Sequence, residues 1–374
     1  MAKLGDIATY INGYAFKPQD WSDEGIPIIR IQDLTGNSYQ ANRYNGEYAS
    51  KYEVNDGDVL ISWSASLGVY IWHGEKAVLN QHIFKVVFDK ERISKNFFVH
   101  QVGLILENAA SDAHGATMKH LTKPVFDALP FYLPPYEKQC EIAEVLDKVT
   151  SLISLRKQQL AKLDELVKAR FVEMFGDPVT NPKGYEKYKL ENLARKISDG
   201  VHSKPDYTET GRPFLSVVNI NKGVINFKNC KYVSEDAYQK MIKSTHPERG
   251  DVLYTKVGAT YGIPAYVDTD IAFCLYVSVC LIKPKREVIN PRFLSLSMEM
   301  PYVKYQADRR IKGIGVPDLH LNQISEFEIL CPPLKEQDIF IYFVERLDGE
   351  KRVVQQSLDK LELMKKALMQ EYFG

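Results

Sequence analysis

The 374-residue chain is poor in cysteine, and no two of its five stand as Cys-x-x-Cys. Cys140, Cys230, Cys274, Cys280 and Cys331 are odd in number and dispersed, which excludes a disulfide framework or a zinc site and reads as reduced thiols in a cytoplasmic protein. Nowhere do eighteen apolar residues follow one another, so neither a transmembrane helix nor a membrane partner is expected. The start, Met1-Ala2-Lys3-Leu4-Gly5-Asp6, lacks the apolar core of a signal peptide. Net charge is absent as well, with 48 Lys+Arg against 48 Asp+Glu, so any basic surface must be local.

Catalytic signatures are also missing. There is no glycine-rich cofactor loop after a strand and no GxxxxGK[ST] phosphate loop. The eight histidines never form HExxH, and Ser62-Trp63-Ser64-Ala65-Ser66 lacks the Gly-x-Ser-x-Gly spacing of a nucleophile elbow. Pro205-Asp206 and Pro317-Asp318 are not followed by the Glu-x-Lys pair of a metal-dependent nuclease. Pro134-Pro135-Tyr136 invites comparison with the Asp/Asn-Pro-Pro-Tyr box that methylates adenine, but Leu133 stands where the polar acceptor would be. The second such site, Cys331-Pro332-Pro333-Leu334, lacks both the acceptor and the aromatic. No catalytic residue and no metal site is therefore assigned to this chain.

What is present is an ordinary globular composition, 45% hydrophobic and 26% charged, long enough for two or three domains. Charge is uneven: residues 1–136 carry 12 Lys+Arg against 15 Asp+Glu, and residues 177–334 carry 22 against 18. Above all the chain repeats itself. A shift of 198 residues lays Leu133-Pro134-Pro135-Tyr136-Glu137-Lys138-Gln139 on Cys331-Pro332-Pro333-Leu334-Lys335-Glu336-Gln337, and both copies close on Phe-Gly, at Phe175-Gly176 and Phe373-Gly374. With small insertions, Gly57-Asp58-Val59-Leu60 matches Gly250-Asp251-Val252-Leu253, Pro27-Ile28-Ile29 matches Pro213-Phe214-Leu215, and Leu4, Ile7, Gly13, Gly115 match Leu190, Leu193, Gly200, Gly313. The expected organisation is a domain over 1–134, a helix over 135–176, a domain over 177–332 and a helix over 333–374.

Each helical segment carries apolar residues at alternating three and four spacing. In the first these are Ile142, Leu146, Val149, Ile153, Leu160, Leu163 and Val167; in the second, Val344, Leu347, Val354, Leu358, Leu361 and Leu368. A 3.5-residue apolar repeat over five heptads is a coiled-coil pattern. Pro-Pro precedes each helix, where the missing N–H costs little, and Gly176-Asp177-Pro178 stops the first. Gly349 departs from the pattern. A helix of about 38 residues runs about 57 Å, and so long a stripe must be covered. The simplest cover is the other copy of the stripe; two amphipathic helices each packed on its own domain would be the alternative.

The domains read as α+β with antiparallel strands. Strands are expected at 26–31, 59–63, 69–72, 82–88 and 131–133, with counterparts at 214–220, 252–255, 265–267, 275–282 and 327–330. Helices are expected at 95–107 and 291–306.

The order domain, helix, domain, helix, the paired "LPPYEKQ" and "CPPLKEQ", the closing "FGDP", and "GDVLIS" and "GDVLYT" inside the domains together resemble the specificity subunit of Type I restriction-modification systems. The resemblance spans the chain. It implies two similar mixed α/β target-recognition domains, each reading one half of a split double-stranded DNA target, joined by two long helices in an antiparallel coiled coil that fixes the gap. It also implies two methyltransferase subunits docked on the helices and restriction/translocase subunits joining for cleavage. S-adenosylmethionine, Mg²⁺ and ATP then belong to those partners, with no cofactor in this chain. A protein-interaction scaffold with duplicated domains, or a self-contained methyltransferase or nuclease, are the competing readings.

Under that resemblance, DNA-contacting side chains are sought in glycine-containing loops at matched positions, among residue types that read base edges or hold phosphates. After Gly13 and Gly200 these are Tyr14 and Lys17 against His202 and Lys204. After Gly-Asp-Val-Leu they are Ser62, Ser64, Ser66 and Tyr70 against Thr255, Lys256, Thr260 and Tyr261. Around Gly115 and Gly313 they are His114, Thr117, Lys119 and His120 against Arg309, Arg310, Lys312 and His320. The plain alternative for each is a solvated loop residue.

Overall fold

A computed structural model of the chain describes residues 1–37, 42–112, 122–221, 223–311 and 315–374. It forms two compact units, Met1–Gln158 with Gln355–Gly374, and Gln159–Val354. Both long helices are present, Tyr136–Phe175 and Leu334–Phe373, each 40 residues, and each unit takes one half of each.

The helices pack together in opposite directions. In the first unit Arg156 Nε donates to Ser357 Oγ at 3.2 Å, and Lys157 pairs with Glu362 at 2.9 Å. In the second unit Lys351 pairs with Asp164 at 2.6 Å, and the rings of Phe171 and Phe175 each lie 5.6 Å from that of Phe340. As numbers rise along one helix they fall along the other. Of the stripe, Ile142, Leu146, Val149, Ile153, Val167, Val344, Leu347, Val354 and Leu358 are buried, and Leu160, Leu163, Leu361 and Leu368 are half-buried. The outer parts of the helices merge into the domain cores: Ile142 and Leu146 with Phe97, Phe98 and Phe131 in the first unit, Phe171, Phe175 and Phe340 with Phe293 in the second. Gly349 lies inside the second helix and has nothing within 4 Å of a would-be Cβ. It costs that helix about 1 kcal/mol relative to alanine.

The glutamine that closes the two Pro-Pro motifs has a structural task. Gln139 is buried; its Nε2 donates to the Pro134 carbonyl at 2.8 Å, and its Oε1 accepts the Ser94 N–H at 2.9 Å, just before the helix Lys95–Asp112. Gln337 repeats this, donating to Pro332 O at 2.6 Å and accepting from Asn290 N–H at 2.8 Å, just before the helix Pro291–Met298. Each ties the start of a long helix to the start of a domain helix.

Each domain has a four-stranded antiparallel sheet of the same order: 9–12, 83–87, 59–62, 68–71 in the first and 194–199, 279–284, 252–255, 264–266 in the second. A short ladder joins each domain's beginning to its end, 2–3 with 130–131 and 187–189 with 328–330. The Gly-Asp turn leads into the central strand. Gly57 and Gly250 take φ of +82° and +92°, which favours glycine. The aspartates accept the N–H three residues back, at 2.9 Å in Asp58 and 2.8 Å in Asp251, and meet a lysine of the neighbouring strand, Lys85 at 2.9 Å and Lys283 at 2.7 Å.

Four expectations need correction. The domains are not wholly antiparallel: Ile28–Ile29 pairs in parallel with Val78–Leu79, and Phe214–Leu215 with Cys274–Leu275. The connections are long enough for the crossover that parallel pairing requires. The single strands expected over 214–220 and 275–282 are each two, 212–215 and 220–221, and 274–275 and 279–284. The helix expected over 291–306 is also two, 291–298 and 301–310: Pro301 forces Met300 into an extended conformation, ψ 143°.

Candidate nucleic-acid interface

At one end of each four-stranded sheet the connecting loops cross in the same way. In the first unit Gly13 N–H donates to Ile83 O (3.1 Å), Tyr14 N–H to Leu79 O (2.8 Å), Gln81 N–H to Tyr14 O (2.8 Å), Asn80 N–H to Ile29 O (3.1 Å) and Trp63 N–H to His82 O (3.2 Å). In the second, Gly200 N–H donates to Val279 O (3.2 Å), Val201 N–H to Leu275 O (2.8 Å), Val277 N–H to Val201 O (3.0 Å), Tyr276 N–H to Leu215 O (2.8 Å) and Lys256 N–H to Ser278 O (3.0 Å). Glycine is required where the loops cross. A Cβ on Gly13 would stand 2.0 Å from Asn80 O, and one on Gly200 2.2 Å from Leu275 O. The turn beside the crossing is capped alike, Asp33 Oδ2 accepting Arg30 N–H at 2.7 Å and Asn219 Oδ1 accepting Ser216 N–H at 3.0 Å.

The sequence-selected residues distribute unevenly on this frame. In the first unit Tyr14 is exposed and packs edge-on against Phe16 at 4.9 Å; Lys17 and Ser66 are exposed and Tyr70 half-buried. Ser62 and Ser64 are buried, and the Ser62 hydroxyl donates to the Ser66 carbonyl, so Ser62 shapes the loop rather than its surface. In the second unit His202 and Lys204 are exposed, Lys204 lying 5.7 Å from the Tyr207 ring. Thr255 is wholly buried, accepting from Ile263 N–H (2.9 Å) and donating to Thr260 O (2.7 Å), while Thr260 is exposed. Tyr261 donates its hydroxyl to Asp308 at 2.6 Å beneath Lys304, which sits 4.0 Å over its ring. The two arginines part company. Arg309 is exposed, whereas Arg310 donates to Gln306 O (2.9 Å) and Glu326 O (3.4 Å) and lies 5.3 Å over Phe327. His320 is exposed at the start of a short helix. His114, Thr117, Lys119, His120 and Lys312 lie outside the described residues.

Lys256 is the unusual one. Its side chain is buried, 3.4 Å from Asp199 and 3.8 Å from Asp318. Burial pushes the Asp199 carboxyl above the ordinary range even though Lys256 pulls it down. The Lys256 carbonyl accepts Leu319 N–H at 3.0 Å, and Gly258 N–H donates to Pro317 O at 2.9 Å, so the loops 199–204, 256–262 and 315–320 meet here. In the first unit the matched position is Trp63, whose Nε1 donates to Asn12 Oδ1 at 3.2 Å while its ring stacks on Phe84 at 5.7 Å.

Asn12, Trp63 and His82 in the first unit, and Asp199, Ser278 and Asp318 in the second, escaped sequence reasoning. The available signal was proximity: Asn12 and Asp199 immediately precede the matched glycines, and Trp63 sits between two chosen serines. His82 adopts φ +74°, uncommon outside glycine. Val218, in the capped turn, is 83% exposed.

Among the described residues no three His, Cys, Asp or Glu side chains group as a metal site, and no helix is long and apolar enough to cross a membrane.

Comparison with known proteins bears on the family and the fold. The family model "Type I restriction modification DNA specificity domain" matches residues 1–165 and 182–363, once for each repeat. The chain is 24% identical over 403 residues to the Type I restriction enzyme EcoBI specificity subunit of Escherichia coli, covering 99% of this chain and 84% of that one. It is 22% identical to the MjaVIII specificity subunit of Methanocaldococcus jannaschii, covering 99% and 90%. A crystal structure of a Type I system S subunit from M. genitalium shares the fold, with a TM-score of 0.59 at 14% identity over 100% of this chain and 95% of that one. A chain from a structural study of Type I complex assembly and conformational transition gives a TM-score of 0.54 at 16% identity, covering 100% and 96%. With a family model spanning both repeats and this fold beneath it, the chain belongs to the Type I restriction-modification DNA specificity family: it is a DNA specificity subunit, itself non-catalytic and without a cofactor of its own.

Proposed function

We propose that residues 1–134 and 177–332 are two target-recognition domains, each reading one half of a split double-stranded DNA sequence in the cytoplasm. The helices 135–176 and 333–374 then set the number of unread base pairs between the halves. The observation that carries this reading is the repeated loop crossing. One backbone frame occurs twice and bears Asn12, Tyr14, Trp63 and His82 in one copy and Asp199, Val201, Lys256 and Ser278 in the other. A shared frame with divergent side chains suits two readers of different sequences, since base edges are discriminated by side-chain donors, acceptors and apolar groups.

The contact surface is assigned to the exposed and half-buried members at that end: Tyr14, Lys17, Ser66 and Tyr70 in the first domain, and His202, Lys204, Thr260, Tyr261, Arg309 and His320 in the second. Ser62, Ser64, Thr255, Lys256 and Arg310 support it from below. The thirteen stripe residues form the seam of the ruler. Two methyltransferase subunits dock on the helix pair and bring S-adenosylmethionine; restriction/translocase subunits bring ATP and Mg²⁺.

The test is a matched insertion of one heptad in the middle of both helices, which keeps the seam in phase. At 1.5 Å per residue this adds about 10 Å, or about three base pairs. Methylome sequencing of cells carrying the complete system should show the same two half-sites with a gap about three base pairs longer. An unchanged gap would remove the ruler.

A further inference from the structure

Lys256 and Trp63 occupy the same place in the two repeats, and so do their partners Asp199 and Asn12. In each case the side chain at the end of the central strand reaches past the intervening strand to the end of the first strand of the sheet. In the first domain this bridge is neutral, an indole N–H on an amide oxygen. In the second it is ionic, and it takes in a third loop. The Lys256 side chain is 5% exposed, with Asp199 at 3.4 Å from the loop carrying His202 and Lys204, and Asp318 at 3.8 Å from the loop carrying His320. A buried ion is tolerated only when paired, and here both counter-charges come from segments that carry contact candidates.

We propose that Lys256 is a positioning residue that sets the reading of one half-site only: its buried ammonium staples the loops 199–204, 256–262 and 315–320 into the register in which the second domain meets DNA. Without the ammonium, Asp199 and Asp318 lose the buried cation they share, and only the exposed imidazole of His202, 3.7 Å from Asp199, remains beside them. They push two contact loops apart and stand beside an approaching phosphate backbone. The neutral bridge of the first domain has no such dependence. The inference rests on the two-domain reading above, whose own failure would show in the wild-type system as a methylated motif without a gap.

The experiment is methylome sequencing of cells carrying the whole system with Lys256→Met or Lys256→Arg, together with thermal melting of the purified complex of this chain with its methyltransferase partner. Lys256→Met is expected to leave the first half-site and the gap intact. Methylation should spread to sites that differ in the second half, with at least a tenfold loss of discrimination there. Lys256→Arg is expected to keep the wild-type motif, because the cation remains. A Lys256→Met complex with the wild-type motif overturns the proposal, as does relaxation of both halves alike. If Lys256→Met does not assemble, Lys256→Met/Asp199→Asn/Asp318→Asn removes the repulsion. Assembly with a relaxed second half supports the proposal. Assembly with the wild-type motif, or renewed failure to assemble, assigns Lys256 to folding alone and overturns it.

Discussion

Where the first domain sets Asn12, Trp63 and His82 around its loop crossing, the second sets Asp199, Lys256 and Ser278 on the same five backbone hydrogen bonds. The first solution is aromatic and amide; the second is ionic and hydroxylic. The difference shows which parts of the repeat are held by backbone geometry and which are left to side chains. Glycines 13 and 200, the capped turns and the Gly-Asp turns recur because the chain cannot cross itself without them. Side chains borne on that scaffold, buried ones such as Lys256 and Ser278 included, are not so bound, and they differ between the two copies.

The Gly-Asp turn breaks the likeness most sharply. Asp251 is almost wholly buried and paired with Lys283, whereas the Asp58 side chain, paired with Lys85, keeps about a quarter of its exposure. Removing one partner of a buried pair costs about 3–5 kcal/mol, against about 1 kcal/mol or less for an accessible one. Lys283→Met should therefore destabilise the second domain by several times what Lys85→Met costs the first, as read by denaturant unfolding. Equal losses would show that burial does not separate the two turns. Acid gives a further check. Burial already holds the Asp251 carboxyl above its ordinary range, so its contribution is fully present below the unfolded value near 4 and is lost as pH rises through the folded one. Lys283→Met raises the folded value further, so its deficit should shrink as pH falls from 7 toward 4.

The loop crossing should break alike in both domains. Gly13→Ala and Gly200→Ala each bring a methyl onto backbone oxygen that cannot swing away, at a cost of about 1–3 kcal/mol apiece. Matched drops in melting temperature, with methylation lost in both variants, are expected. A silent Gly13→Ala beside a damaging Gly200→Ala would mean that the frame is not shared. The buried glutamines sharpen the same point at slightly smaller size. Gln139→Ala and Gln337→Ala each strand the N–H just before a domain helix and a proline carbonyl, for about 1–3 kcal/mol.

Much of this was legible because a duplicated sequence is its own comparison. The long helices, the four-residue Gly-Asp motif and both glycines stood out as matches 193, 198 or 187 residues apart, and the helix pattern needed only periodicity. The final glutamine of each Pro-Pro motif was visible as a match, but its clamp was not, since its partners lie 45 and 47 residues away. The parallel strand pairs were hidden for a like reason: each strand is two to four residues long, too short to show direction. The site was legible by loop and illegible by side chain. Ser62, Thr255 and Lys256 have the chemistry of contact residues, yet the turn that makes the loop also folds them inward. Trp63 and Asn12 were passed over because their bond spans 51 residues.

The smallest effect separates two neighbours within one domain. Arg309 and Arg310 have the same charge and adjacent positions, so sequence gave them one role. In the structure Arg310 is spent on two carbonyls and the Phe327 face, while Arg309 points its charge outward over Tyr305. A phosphate contact adds about 0.9 to the slope of log affinity against log salt, and a guanidinium already bonded to the protein adds little. Arg309→Ala should lower that slope by about one in fluorescence-anisotropy titrations of the complex with duplex DNA, leaving the melting temperature in place. Arg310→Ala should do the reverse, keeping the slope and costing about 1 kcal/mol of stability through two lost hydrogen bonds. If both variants flatten the slope equally, Arg310 leaves its carbonyls when DNA binds, and the distinction between supporting and contacting residues at this end of the second domain fails with it.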